Sequence, residues 1–391
     1  MRPPGHTLSQ GVDRLLPTYA RADLTVVRGE GARVWDSDGR EYLDFGAGIA
    51  VVALGHCHPA PFAAAQEQLG RLWHASNLYR TEPAEGLAQR LSERFGGAQA
   101  FFCNSGAESV EAALKYARKA TGKPGVVTLE GSFHGRTLGA LSATGQPGKR
   151  EAFEPLVPGV RFVPPNDVDA LVDAVDDEVG LILLEPILGE GGVIPLDGEF
   201  ISAAAQLPPL LGFDEVQTGV GRTGSFFAFE QLDVRPDLVT LAKGLANGLP
   251  IGALLVAEEA RGGFAPGDHG STFGGNPVSC AAACAVVDAI DGDLLDNIRE
   301  HGAALADGLA ALPGVLEVRG RGLLLGAVVD RPASDIVVAC RERGLLVLTA
   351  GDDVVRLAPP LTIDEADVAS ALAILGSALD AVQSGKLQVV T

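Results

Sequence analysis

Lysine is scarce in this chain. Six lysines stand among 391 residues against 24 arginines, and Lys243 is the single one between Lys149 and Lys386. Positive charge is short overall, with a formal net charge of −20. Nucleic acids and anionic membranes need basic surface, so both are disfavoured as partners. An anionic ligand must then be drawn by local cations against the overall field, which directs attention to individual arginines. Long apolar runs are missing too: no stretch approaches the roughly 18 apolar residues of a membrane span. Met1 to Gln10 hold prolines and a histidine but no apolar h-region, which argues against a signal peptide. Cysteines are few, odd in number and scattered: Cys57, Cys103, Cys280, Cys284 and Cys340. They do not make a disulfide framework and suit a reduced, cytosolic chain. No internal repeat, low-complexity tract or long flexible linker occurs.

What is present is apolar residue in short runs, 47% of the chain, enough for a large core. The length allows about two or three domains. Runs that read as buried strands are Ala100–Cys103, Val126–Leu129, Arg161–Val163, Leu181–Leu184, Leu210–Phe213, Leu238–Leu241 and Gly252–Val256. Between them lie helical patterns at Pro61–Leu72, Glu85–Arg94, Val110–Ala120, Asp167–Asp176 and Pro277–Ile290. The alternation predicts an α/β fold with a largely parallel sheet. Ahead of it, Leu24–Arg28 and Ala32–Asp36 read as an antiparallel pair. After about residue 291 the texture changes: helix Leu294–Ala311, strand-like Val315–Arg319 and Leu323–Val329, helix Ala333–Arg343, then Leu345–Thr349, strand-like Val354–Leu357 and helix Ile363–Ser384. That reads as a small α+β domain.

Lys243 ends the apolar run Leu238-Val239-Thr240-Leu241-Ala242, and Asp214 ends Leu210-Leu211-Gly212-Phe213. Open α/β sheets bind ligands at the carboxyl edge, where both residues should sit. Burial lowers a lysine pKa and suits it to Schiff-base chemistry. A buried carboxylate needs a partner, and a pyridinium N–H would supply one. The pairing is the mark of pyridoxal phosphate. A structural Asp–Lys ion pair is the plain alternative.

Other segments gain meaning beside that pair. In Asn104-Ser105-Gly106-Ala107-Glu108-Ser109 a strand gives way to a helix expected to begin near Ser109. Small side chains and free N–H groups there favour a phosphate, although an ordinary capped helix would look the same. Phe133-His134-Gly135-Arg136 offers an aromatic to stack on a planar ring and a cation to grip a carboxylate; a surface arginine beside a buried aromatic is the alternative. Glu190, in Gly189-Glu190-Gly191-Gly192, can pair with an arginine or a substrate ammonium, or be a solvated loop acid. Gly270-Ser271-Thr272 is a second small-residue loop whose hydroxyls suit a phosphate. Arg356 is a lone arginine on a strand end. His56-Cys57-His58 does not make a metal site, because residues one apart on a strand point to opposite faces and no partner pair has zinc spacing.

Taken in order, these segments resemble a class III, fold type I, pyridoxal phosphate-dependent aminotransferase. The resemblance runs from Val34-Trp35-Asp36 to the Arg356 strand. Within the class, Tyr42-Leu43-Asp44-Phe45, Ser76-Asn77-Leu78-Tyr79, Phe133 to Gly145, and Asp214-Glu215-Val216-Gln217-Thr218-Gly219 with Gly221-Arg222-Thr223-Gly224 are most similar to the branch acting on N-acetylornithine in arginine biosynthesis. One departure stands out: Glu199 to Phe213 is several residues shorter than that class usually has.

The resemblance implies a set of roles. Lys243 carries the cofactor and moves the proton. Asp214 holds the pyridine nitrogen. Val216 and Phe133 pack on opposite faces of the ring, and Gln217 lies near its phenolic oxygen. Gly106 and Ala107, with Ser105, hold the phosphate. Arg136 binds the carboxylate of N-acetylornithine, and Arg356 that of glutamate or 2-oxoglutarate, with Glu190 pairing to Arg356 in the other half-reaction. The enzyme is then a homodimer with shared active sites, where Thr272 contacts the neighbouring subunit's phosphate and Ser271 its substrate. The implied layout is an N-terminal segment, residues 1–55, joined to a small C-terminal domain, 291–391, around a large cofactor domain, 56–290. Alternatives of the same fold act on ornithine, succinylornithine or 4-aminobutyrate. An aminomutase would not need both arginines, and a non-catalytic homologue would not need Lys243 and Asp214.

Overall fold

A computed structural model describes residues 14–384. The Met1 to Gln10 segment lies outside the described residues. The chain opens with antiparallel strands β1 (Val26–Glu30), β2 (Arg33–Asp36) and β3 (Glu41–Asp44). The central sheet then takes β4 (Ala98–Cys103), β5 (Gly125–Leu129), β6 (Val160–Val163) and β7 (Val179–Leu184). A short ribbon, β8 (Ile187–Leu188) with β9 (Ile194–Pro195), leaves the sheet after β7. Strands β10 (Leu210–Asp214), β11 (Leu238–Leu241) and β12 (Gly252–Ala257) complete it. The spatial order is β4-β12-β11-β10-β7-β5-β6. Only β12 runs antiparallel to its neighbours β11 and β4. Strands β7 and β12 are buried along their whole length, as expected for a sheet covered on both faces.

The shortened segment before Asp214 still crosses over as a helix, Gly198–Gln206, burying Phe200, Ile201 and Ala204. Nine residues suffice because Phe200 and Ile201 reach the core. Strand β10 keeps its register, with Leu210 opposite Leu181 and Asp214 opposite Thr240. Asp214 therefore stands at the carboxyl end of the sheet, one strand from the end of β11.

The last part holds β13 (Val315–Arg321), β14 (Leu324–Val329), β15 (Leu345–Leu346), β16 (Leu348–Thr349) and β17 (Val354–Leu357). Leu345–Thr349 is not one strand. β15 pairs with β3, while β16 pairs with β17 in the sheet β13-β14-β17-β16. Neighbour availability decides this: Leu345 fits against Leu43, and three residues on, Leu348 pairs with Arg356.

Candidate active site

Lys243 begins a single tight turn two residues beyond β11. Its φ is 41°, the left-handed region that costs a non-glycine residue about 1–3 kcal/mol. Its side chain lines a cavity of about 410 Å³. Ser105, Gly106, Ala107, Phe133, Arg136, Asp214, Val216 and Gln217 line that cavity with it. Burial pushes the Lys243 ammonium down to about 8, and the Arg356 cation nearby pushes the same way.

No ion pair joins Asp214 to Lys243 among the described residues; the carboxylate is engaged elsewhere. One oxygen accepts from Thr240 Oγ1 at 2.9 Å and from the Val216 N–H at 3.1 Å. The other meets His134 Nδ1 at 2.7 Å. His134 is itself buried, and its Nε2 lies 3.0 Å from Thr128 Oγ1. Burial pulls the His134 imidazolium down, yet the Asp214 carboxylate outweighs it and holds the pKa above the ordinary histidine value.

The helix after β4 runs Gly106–Thr121, so it starts three residues before the expected Ser109. Ser105 is its cap, with Oγ accepting from the Glu108 N–H at 3.2 Å. The first N–H groups of this helix, at Gly106 and Ala107, are therefore at the cavity wall. A Cβ on Gly106 would come within 2.8 Å of Val216 Cγ1, so only glycine lets that wall close.

Arg356 sits on β17, where it is buried, and pairs with Glu190 at 2.7 Å. Its Nη1 also donates to Gln217 Oε1 at 3.1 Å and to the Gly189 carbonyl at 2.9 Å. Gln217 thus links the cavity to the Arg356–Glu190 pair. The Arg356 and Lys149 cations hold the Glu190 carboxyl below its usual range despite burial. Arg136 is exposed at the cavity mouth, its guanidinium 5.5 Å from the Phe133 ring centre.

Ser271 and Thr272 do not join this cavity. They line another, of about 1070 Å³, with His74, Tyr79 and Phe101. Ser271 touches the first through Asn104, whose side-chain amide donates to Ser271 Oγ at 3.1 Å. His56 and His58 are not on a strand either. His56 pairs with Asp44 at 2.8 Å, and His58 caps the helix Pro59–Leu69.

A family model described as aminotransferase class-III matches residues 17–379. The chain belongs to the class III aminotransferases. It is 51% identical to an acetylornithine aminotransferase of Methanopyrus kandleri, over 93% of this chain and 96% of the relative. A relative of that description from Caldanaerobacter subterraneus is 47% identical over 94% and 98%. Among solved structures, the ornithine aminotransferase of Toxoplasma gondii superposes with a TM-score of 0.90 at 34% identity, covering 95% and 94% of the two chains. The N-acetylornithine aminotransferase of Stenotrophomonas maltophilia superposes at 0.82 with 39% identity, covering 94% and 98%.

The cofactor of a class III aminotransferase is pyridoxal phosphate, and the cavity fits it. It holds an amine whose ammonium is pushed down to about 8, a buried carboxylate at the sheet edge and a glycine-tight helix N-terminus. Two polar wall residues, His134 and Glu185, and Thr240, which donates to Asp214, were given no role from the sequence. His134 had a signal, since it directly follows Phe133. Thr240 lay inside an apolar run, three residues before Lys243. Glu185 had only its place after β7.

Proposed function

We propose that this class III aminotransferase transfers the δ-amino group of N2-acetylornithine to 2-oxoglutarate in a ping-pong cycle. The observation that carries the reading is a pair of arginines of opposite accessibility around one lysine: exposed Arg136, and buried Arg356 closed by Glu190 at 2.7 Å. One pocket must accept an ω-amine with a distant carboxylate and then an α-amino acid with two carboxylates. Arg136 takes the carboxylate of the amino donor. While it does so, Glu190 neutralises Arg356. When glutamate or 2-oxoglutarate binds, Glu190 swings away and Arg356 takes its α-carboxylate.

Pyridoxal phosphate, when bound, supplies an electron sink for the carbon that bears the amino group. Lys243 Nζ then accepts and returns the proton, a task suited to an amine held near 8. Asp214 would accept from the pyridine N–H, Phe133 and Val216 would flank the ring, and Gln217 would serve its phenolic oxygen. Ser105, Gly106 and Ala107 would hold the phosphate. Ser271 and Thr272 act in the neighbouring subunit of a homodimer. Exposed Trp73, Leu78, Tyr79 and Phe273 support such an interface. We read residues 1–55 with 291–391 as one small domain, supported by β15 on β3, and 56–290 as the cofactor domain. No helix among the described residues is long and apolar enough to cross a membrane, and we read the enzyme as cytoplasmic. The fold likeness to ornithine aminotransferase keeps free ornithine as the second donor to compare.

The test is a steady-state assay with 2-oxoglutarate against N-acetylornithine, ornithine, succinylornithine and 4-aminobutyrate. The reading expects the highest kcat/KM for N-acetylornithine and no turnover by Lys243→Ala. A higher value for another donor, or an active Lys243→Ala, overturns it.

A further inference from the structure

Glu185 is a buried carboxylate at the cavity wall that the proposed reaction does not use. It stands directly after β7, and its two oxygens serve two different loops. Oε1 accepts from the Phe133 N–H at 2.7 Å. Oε2 accepts from the Gly189 N–H at 3.2 Å. The first loop presents Phe133 and Arg136. The second presents Glu190, and its Gly189 carbonyl accepts from Arg356 at 2.9 Å. The loops also meet backbone to backbone: a Cβ on Gly191 would collide with the Gly131 carbonyl. No side chain can separate them there, so the Glu185 carboxylate ties their bases together.

We propose that Glu185 is a positioning residue, a strap that couples the Arg136 loop to the Arg356–Glu190 loop so that the two carboxylate sites hold a common geometry. The assignment of those sites rests on the proposed function; the strap itself rests on the two hydrogen bonds. The strap depends on ionisation, because a carboxylic acid presents a hydroxyl hydrogen where one loop N–H now donates. Burial pushes the Glu185 carboxyl up to about 7; His134 opposes this and Asp214 adds to it. The other charges facing it are Lys243 and Lys149. Protonation as pH falls through that value should therefore release one of the two loops and leave the other held.

The test is amide hydrogen exchange by mass spectrometry on the full chain, followed in the segments 131–136 and 187–192. Losing a hydrogen bond to a charged acceptor should speed exchange on the order of tenfold. Glu185→Ala should do so in both segments. Glu185→Gln retains one acceptor oxygen, which serves Phe133, and should do so in 187–192 alone. In the same variant the KM for 2-oxoglutarate should rise on the order of tenfold while that of the amino donor stays within about twofold. Unchanged exchange in either segment of Glu185→Ala overturns the strap. Equal acceleration in β1, which pairs only with β2 in a separate sheet, also overturns it, since Glu185 would then serve general stability. A failed acetylornithine assay leaves the exchange result standing.

Discussion

Replacing His134 by alanine should weaken cofactor binding more than it weakens the fold. Among the described residues His134 is the single partner of one Asp214 oxygen, at 2.7 Å, while Thr240 and Val216 both serve the other. Its backbone N–H bonds Thr144 Oγ1 at 3.0 Å and survives the substitution. What is lost is one charge-assisted hydrogen bond to Asp214 and one neutral bond to Thr128. Hydrogen bonds to charged groups are worth about 1.5–3 kcal/mol, and an unsatisfied buried acceptor costs a similar amount. If that loss falls on the contact between Asp214 and the pyridine nitrogen, the cofactor Kd rises about 10- to 100-fold. Equilibrium dialysis of the apoprotein against pyridoxal phosphate measures it. The sign with pH follows from the raised His134 pKa. Stability from the protonated imidazole is complete below the ordinary histidine value of about 6.5 and fades as pH rises through the raised one. The gap in unfolding free energy between wild type and His134→Ala should therefore shrink at high pH. A variant that binds the cofactor within about twofold of wild type refutes this account of Asp214.

Gly106→Ala should push Val216 aside, since the new Cβ falls 2.8 Å from Cγ1, and overpacking of this kind costs about 1–3 kcal/mol. The cofactor Kd should rise; an unchanged value would show that this wall does not hold the cofactor. The rate of recombination of apoprotein with pyridoxal phosphate should climb as pH passes about 8, because burial holds the Lys243 ammonium there and only the neutral amine attacks. Stopped-flow absorbance reads this, and a midpoint near that of an exposed lysine refutes it. Arg222 is buried without an acid partner among the described residues and donates to the Leu323 and Pro359 carbonyls. Arg222→Ala orphans both carbonyls and opens a void, so denaturant unfolding should show a loss on the order of 3–5 kcal/mol. A loss below about 1 kcal/mol would mean that the two carbonyls find other partners.

Local signals carried far. Seven apolar runs became the seven strands of the central sheet within a residue or two; the inner strands, buried on both faces, must be apolar throughout, while the edge strands β4 and β6 are only partly buried. Lys243 and Asp214 were readable because each polar residue ends such a run. The start of the Gly106 helix was misread: the serine cap lies at Ser105, and small residues gave no amphipathic signal until Ser109. Ser271 and Thr272 were read as reaching the neighbouring subunit's substrate and phosphate, and within one chain they line a different cavity from Lys243.

The residue order alone determined the strands, their covering helices and the two chemical ends of the pocket, because burial and hydrogen bonding within a strand or a helix are settled over a few residues. Tertiary structure decided the partners. His134 meets Asp214 across 80 positions, Arg356 meets Glu190 across 166, and Glu185 reaches two loops at once. Such pairs form because a buried polar group must find a partner among whatever the fold brings near it, and only the packed chain says what that is.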